Sequence, residues 1–296
     1  MTAPALAVAQ RAPIPTWFGI GGAADALVAP ASLEELRAAL EARDPASGPV
    51  RTLGDGANLL VDDDGVDGLV VCTSQLGDVR WSESGVTAGA GARLPLLVAE
   101  ACRRGLSGLE GLGGIPASLG GAVRMNAGGA FGEIGPLVRR VVALDHDGRA
   151  VELSDAELRF GYRRSNLGDL IIAEAELRLG RAEPADLRAK LKQVMEHKKH
   201  AQPLGASSAG CVFQNPEVDG RRVSAGRLID RAGLKGARAG GAVVSDQHAN
   251  FIVAEEGAKA ADVLALITLV QERVRDALGI ELHRELVVWS REDGHG

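Results

Sequence analysis

Gly108 to Gly135 reads GLEGLGGIPASLGGAVRMNAGGAFGEIG, and no other stretch of this length is so dense in glycine. Glycine loses more chain entropy on folding than any other residue, so such a run needs a purpose. The apolar residues Leu112, Ile115, Leu119, Val123 and Met125 within it exclude a solvated linker. Two readings remain. Either the backbone wraps around a large, flat or extended ligand, or glycines line a packing contact between elements.

Upstream lies a second glycine loop, LGDGANLL, from Leu53 to Leu60. Closely spaced glycines let successive N–H groups converge on an anion such as phosphate. No Gly-Lys-Ser/Thr follows, so it is not a Walker A motif, and G-x-G-x-x-G is absent. An ordinary tight turn fits equally well. The flanks in VRTLGDGANLLVDDDGVDGLVVCTS read as strand, glycine loop, strand.

Helices are expected where apolar residues recur at helical spacing. PASLEELRAALEAR has Ser32 and Glu35 placed for a capping box and Leu33, Leu36 and Leu40 on one face. RLPLLVAEACRRGLSG starts near Pro95 and stops at Gly105. ADLRAKLKQVMEHKKH turns Leu187, Leu191, Val194 and Met195 inward. AADVLALITLVQERVRDALG buries Val263, Leu266, Ile267, Val270 and Val274 and ends at Gly279. VVALDHDGRAVEL predicts a hairpin with a type I′ turn at Asp147-Gly148. The polar run GRAEPADL, from about Gly180, is the linker candidate. Strands and helices mix without regular βαβ alternation, which predicts an α+β fold in more than one domain.

The chain has 296 residues, 46% apolar and 24% charged. That suffices for two domains and argues against wholesale disorder. The net charge of −6 disfavours a general nucleic-acid binder. The 3 cysteines show neither a pairing pattern nor metal-ligand spacing, so no disulfide framework and no metal site are expected, and a cytoplasmic setting fits. Cys72 and Cys102 lie in apolar runs and read as core. The start, MTAPALAVAQRAPIP, reads as a loose leader without the features of a signal peptide. No run reaches about 18 apolar residues, so no membrane insertion is expected.

Seven motifs occur in order: TWFGIGGAADALVAP, LGDGANLLV, GLSGLEGLGGIPASLGGAVRMNAGG, FGYRRSNL, QPLGASSAGCVFQNP, AGRLIDRAGLKG and VVSDQHANFIV. The series resembles the UDP-N-acetylenolpyruvoylglucosamine reductases, in their shorter type that lacks an extra tyrosine-bearing loop. The resemblance covers about Thr16 to Trp289. It implies a vanillyl-alcohol-oxidase-type FAD-binding fold of two α+β subdomains, about 16–73 and 74–180 within a 1–180 domain. A substrate domain, 181–296, would follow, its last strand returning to the FAD domain. The implied activity is reduction of UDP-N-acetylglucosamine enolpyruvate, with NADPH reacting first and leaving. A monomer or weak oligomer is expected.

The resemblance assigns Gly54, Asp55, Gly56, Ala57, Asn58 and Leu59 to the FAD pyrophosphate. It also assigns Gly114, Ile115, Pro116, Ser118, Gly120, Gly121, Ala122, Asn126 and Gly128 to FAD. Neither loop carries His or Cys where a covalent flavin link would form, so FAD is expected to bind non-covalently. Arg163 is implied as the group that grips the substrate carboxylate as charge develops, since a guanidinium donates two parallel hydrogen bonds and stays charged. Tyr162 would line the site beside it. Glu285 matches a late catalytic glutamate that usually follows proline, a position held here by Arg284. Cys211 stands where most members place the serine that protonates the intermediate. A thiol is the stronger acid, with an ordinary pKa of about 8.5, and is still mostly protonated near neutrality. Asn215 matches a substrate-contacting position. Lys198, Lys199 and His200 form a basic cluster before QPLG, which a solvated helix end explains as well as a diphosphate contact.

Overall fold

Helical spacing of apolar residues becomes helix where expected in the computed structural model, which describes residues 7–203 and 205–291. The first residues of the leader, and Leu204 of the QPLG motif, lie outside the described residues. The chain divides into two compact units. One takes the chain up to Arg11, Ala26–Asp55 and Gly68–Lys198; the other takes Ala12–Asp25, Gly56–Asp67 and the chain from Lys199 onward. Residues 9–13, expected within a loose leader, form a strand, Ala9–Pro13.

In the first unit, α1 (Leu33–Glu41) buries Leu36 and Leu40, and the Ser32 hydroxyl accepts the Glu35 N–H at 3.1 Å. Glu35 reaches the Ala31 N–H instead of that of Ser32, so the expected capping box closes one residue early. Helix α2 (Leu94–Arg103) starts with Pro95 in its first turn and stops before Gly105 at φ 69°. Cys72 and Cys102 are both buried. A short helix, α3 (Leu119–Arg124), is cut from the glycine-rich stretch and N-capped by Ser118. A five-stranded antiparallel sheet orders Ala150–Ser154, Val138–Leu144, Ile171–Arg178, Gly85–Gly89 and Val79–Ser82. One core of the unit lies between this sheet and α2 and α3, with Leu94, Leu119, Val123, Val141 and Leu177 within it.

The Asp147-Gly148 hairpin forms without a type I′ turn. Gly148 has φ 82°, but Asp147 is not left-handed. The Gly148 N–H instead bonds the Asp145 carbonyl at 3.0 Å, and the Asp145 carboxylate accepts the Asp147 and Arg149 N–H groups. An aspartate that folds back on its own backbone outcompetes the mirror-image turn.

GRAEPADL is not a linker. Gly180–Arg181 pairs with Leu106–Ser107, and α4 (Pro184–Ala201) begins three residues later. Leu187 and Val194 of α4 are buried and Leu191 packs on the core, but Met195 is 41% exposed. Met195 lies against Gly114 at the rim, where the helix face leaves the core.

In the second unit, α5 (Ala225–Arg231) and α6 (Ala260–Leu278) pack with a three-stranded sheet of Arg238–Ala239, Ala242–Val244 and Ile252–Ala254. All five apolar positions expected inside α6 are buried, and Gly279 ends it at φ 68°. The Asp63 carboxylate accepts the Ala260 and Ala261 N–H groups at the start of α6. The late strand Val287–Trp289 runs parallel to Leu59–Val61.

Candidate active site

Within the first unit a cleft of about 310 Å³, measured out to its mouth, is lined by Gly54, Thr73, Gly120, Gly121, Arg124 and Ile172, among others. Its glycines are there for different reasons. A side-chain carbon on Gly120 would lie 2.8 Å from the Ala90 methyl, and one on Gly54 would lie 2.5 Å from the Ser118 hydroxyl. Gly121 has only the Ser118 hydroxyl near it, at 3.4 Å, so a side chain there would project into the cleft. Further upstream the packing explanation holds. A carbon on Gly113 would strike Leu191, and one on Gly114 would lie 3.0 Å from the Met195 sulfur and 3.2 Å from Cδ of Lys198. The glycine-rich stretch is thus packed against α4 at Gly113 and Gly114 and against Ala90 at Gly120, and is open toward the cleft at Gly121. Gly128 pairs with Glu133 in a small ladder, and a side chain on it would meet the Glu133 backbone. Ala122 is buried in the core, Ser118 is buried at the cap of α3, and Ile115 and Pro116 are half-buried.

Arg124 is a cleft residue that the motifs did not single out. Its guanidinium donates to the Leu167 and Leu170 carbonyls at 3.2 and 3.4 Å, and burial works against its charge.

Arg163 stands at the second central position of a two-residue turn between Phe160–Gly161 and Arg164–Ser165. Its φ is 55°, in the left-handed region that arginine rarely adopts. Such a residue persists only where its surroundings over-determine it. It is half-buried, whereas Arg164 is exposed, and its guanidinium lies 5.1 Å from the centre of the Tyr162 ring. Lys198 donates to the Gly113 carbonyl at 2.6 Å. Burial first, and the like charge of Arg163 second, hold the Lys198 ammonium down to about 8. Of the expected basic cluster, Lys198 is therefore half-buried beside Arg163, while Lys199 and His200 are exposed.

In the second unit, Cys211 follows Gly210, whose φ of 75° makes the bend. Cys211 is half-buried, while Val212 and Phe213 are each 1% exposed. Asn250, which the sequence did not flag, is 3% exposed. Its side chain accepts the Phe213 N–H at 2.9 Å and donates to the Phe213 carbonyl at 2.8 Å. Its own carbonyl accepts the Val212 N–H at 2.9 Å. On the other side the Glu285 N–H bonds the Val212 carbonyl at 2.8 Å, and Phe213 bridges Arg284. Arg284, in the expected proline position, is thus a bridge residue with an exposed side chain. The structure brings Cys211 and Glu285 onto neighbouring segments; Arg163 belongs to the other unit.

Asn58, expected at the FAD pyrophosphate, has its side-chain amide turned to the segment that carries Glu285. Its amide donates to the Glu285 carbonyl at 3.0 Å, and its carbonyl accepts the Val287 N–H at 3.1 Å. It fastens the glutamate segment across 227 residues of sequence. Leu59 is core and pairs with Val287. Gly56, at φ 64°, sits where any side chain would strike the Pro15 carbonyl, while Asp55 and Ala57 are half-buried. Asn215 accepts the Ala225 N–H at 2.9 Å, at the start of α5.

Residues 202–289 match the model for the UDP-N-acetylenolpyruvoylglucosamine reductase C-terminal domain, and residues 24–154 match an FAD binding domain. The UDP-N-acetylenolpyruvoylglucosamine reductase of Moorella thermoacetica is 43% identical over 93% of this chain and 90% of its own length. That of Syntrophus aciditrophicus is 41% identical over 94% and 90%. The crystal structure of the reductase from Thermus caldophilus is similar with a TM-score of 0.79, at 42% identity, covering 93% of this chain and 96% of that one. This chain belongs to the UDP-N-acetylenolpyruvoylglucosamine reductase family. A reductase of this family with an FAD-binding domain is an FAD-dependent oxidoreductase of α+β fold.

The residues at the cleft fit such a cofactor. The space beside Gly121 is open for a ligand to approach the backbone, bordered by an apolar wall of Leu170 and Ile172 and by the cation Arg124. This supplies a test. Gly121→Val should fold with an unchanged thermal midpoint when stripped of flavin, yet lose bound FAD, measured by flavin absorbance. Gly120→Val should lose stability outright, because its added carbon meets Ala90. Full FAD content in Gly121→Val would remove this cleft from the cofactor site.

Proposed function

We propose that this reductase converts UDP-N-acetylglucosamine enolpyruvate to UDP-N-acetylmuramate, with NADPH as the hydride source, in cytoplasmic synthesis of peptidoglycan precursors. Held non-covalently, FAD would supply the hydride chemistry for the terminal vinylic carbon. The residues of the chain manage the charge and the proton. As the C=C bond is consumed, negative charge grows on the neighbouring carbon and spreads into its carboxylate. Arg163 stabilises that carboxylate with its fixed charge and paired donors. Cys211 gives its S–H proton to the carbon, completing a net addition of hydride and proton, and the thiolate later regains a proton from solvent. Glu285 polarises the carboxylate end, with help from its own proton.

The observation that carries this reading is the backbone bond between the thiol and carboxyl segments, Glu285 N–H to Val212 carbonyl. It sets the backbones of the two segments side by side, which supports reading Cys211 and Glu285 as members of one site. The first unit is read as the flavin domain and the second as the sugar-nucleotide domain.

One experiment separates this activity from its rivals. The purified yellow protein should bleach when NADPH is added without oxygen. Colour should return on adding UDP-N-acetylglucosamine enolpyruvate. Return only when oxygen is admitted would make it an oxidase, and failure to bleach would make it a binding protein.

A further inference from the structure

We propose that Asn126 is the positioning residue for Arg163, holding the turn that carries the guanidinium in register with the helix that lines the cleft. The inference rests on Arg163 being the carboxylate stabiliser. Asn126 is 1% exposed and has φ 45°. Its side chain is fully engaged inward. The amide nitrogen donates to the Gly161 carbonyl at 3.0 Å and to the Glu133 carboxylate at 2.9 Å, and the amide oxygen accepts the Gly135 N–H at 2.9 Å.

Gly161 is the residue from which the Tyr162–Arg163 turn leaves its strand. The far strand of the turn is tied as well, because the Ser165 hydroxyl donates to the Arg124 carbonyl at 2.7 Å. Residues 124–126 therefore grip the hairpin on both strands. Arg124 is also the last residue of α3 and lines the cleft. There is no slack on the remaining side. A carbon added to Gly135 would lie 2.7 Å from the Phe160 ring and 2.8 Å from the Asn126 oxygen. Two left-handed residues, Asn126 and Arg163, thus lie within or beside one connected set of largely inward hydrogen bonds, which holds Gly161 and Ser165 on either side of the turn. Strained backbone of this kind relaxes when its restraints are removed, and a displacement of about 1 Å at a reacting group can cost about 100-fold in rate.

The test is a double-mutant cycle on Asn126→Ala and Arg163→Ala, read by bound-FAD absorbance, thermal midpoint and stopped-flow rates of both half-reactions. The resemblance also assigns Asn126 to FAD, so rates are taken per bound flavin, and bleaching of Asn126→Ala by NADPH is the reference for its second half-reaction. Its reoxidation by the enolpyruvyl substrate should slow by about 10- to 100-fold, chiefly in kcat and not in KM. In the Arg163→Ala background the same change should add less than about threefold. An additive loss, or bleaching slowed as much as reoxidation in Asn126→Ala, overturns the proposal. Normal reoxidation by Arg163→Ala alone would sink the reading of Arg163 itself, a separate result. Should Asn126→Ala fail to fold, Asn126→Asp keeps the size and the acceptor but lacks the donor to Gly161, and the same cycle applies.

Discussion

Cys211→Ala is expected to slow turnover by about two to four orders of magnitude, the usual range for a lost general acid. The fold should survive the change, because the segment is held by its backbone. Val212 and Phe213 are bonded to Asn250, and Val212 to Glu285, whatever occupies position 211. The NADPH half-reaction should stay near normal, since no carbon is protonated there. Cys211→Ser should remain active, because a hydroxyl on the same bend can donate the same proton. Turnover of the parent enzyme should fall at alkaline pH as the thiol ionises. Lys198, held down to about 8, loses its charge in a similar range. A limb that disappears in Cys211→Ser belongs to the thiol; one that persists there and disappears in Lys198→Arg belongs to the lysine. Stopped-flow reoxidation by substrate, with product analysis, decides the matter. Normal reoxidation with normal product in Cys211→Ala would reduce the cysteine to a filler of space.

Arg163→Ala should lower the substrate half-reaction by about 100- to 1000-fold, the range seen when one donor to a developing anion is lost. The loss should appear in kcat more than in KM, because the contact strengthens as charge builds. Alanine shares the steric cost of φ 55° with arginine, so the turn's strain is not altered and the effect reports the guanidinium. Arg163→Lys should recover only part of the rate, since an ammonium cannot make the paired contact. The variant carries a second readout. Arg163 is one cause of the lowered Lys198 value, so its removal should raise that value from about 8. An equal failure of flavin bleaching by NADPH would make Arg163 a structural residue or a nicotinamide contact.

Local chemistry was legible in the sequence wherever the cause is local. Val263, Leu266, Ile267, Val270 and Val274 fall on one face of α6 by spacing alone, and Ser32 and Gly279 mark helix ends through bonds within a turn or two. The glycine loops announced that backbone was being approached closely. The ordered motifs carried the family, and with it the interest of a cysteine on a half-buried bend. Where two local preferences competed, the sequence was ambiguous. Asp147-Gly148 could have made either turn, and the Asp145 carboxylate decided it.

What only the tertiary structure decided rests on partners far apart in the chain. Nothing in GDGANLL says that Asn58 is turned toward residue 285, because the bond exists only once Val287–Trp289 lies along Leu59–Val61. Met195 has the right spacing for burial, but the core ends beneath α4 before reaching it. GRAEPADL is polar enough for a linker, yet Gly180–Arg181 finds a strand partner at Leu106–Ser107. Arg163 shows no sign in its own neighbours of a left-handed backbone. That conformation is stabilised from Asn126 and Arg124, through bonds to Gly161 and Ser165 that span 35 and 41 residues. The sequence by itself supplied the candidates for the chemistry, because charge, acidity and backbone freedom are properties of the residue. Their orientation was left to tertiary contacts, because an orientation is set by hydrogen bonds whose donors and acceptors meet only in the folded chain.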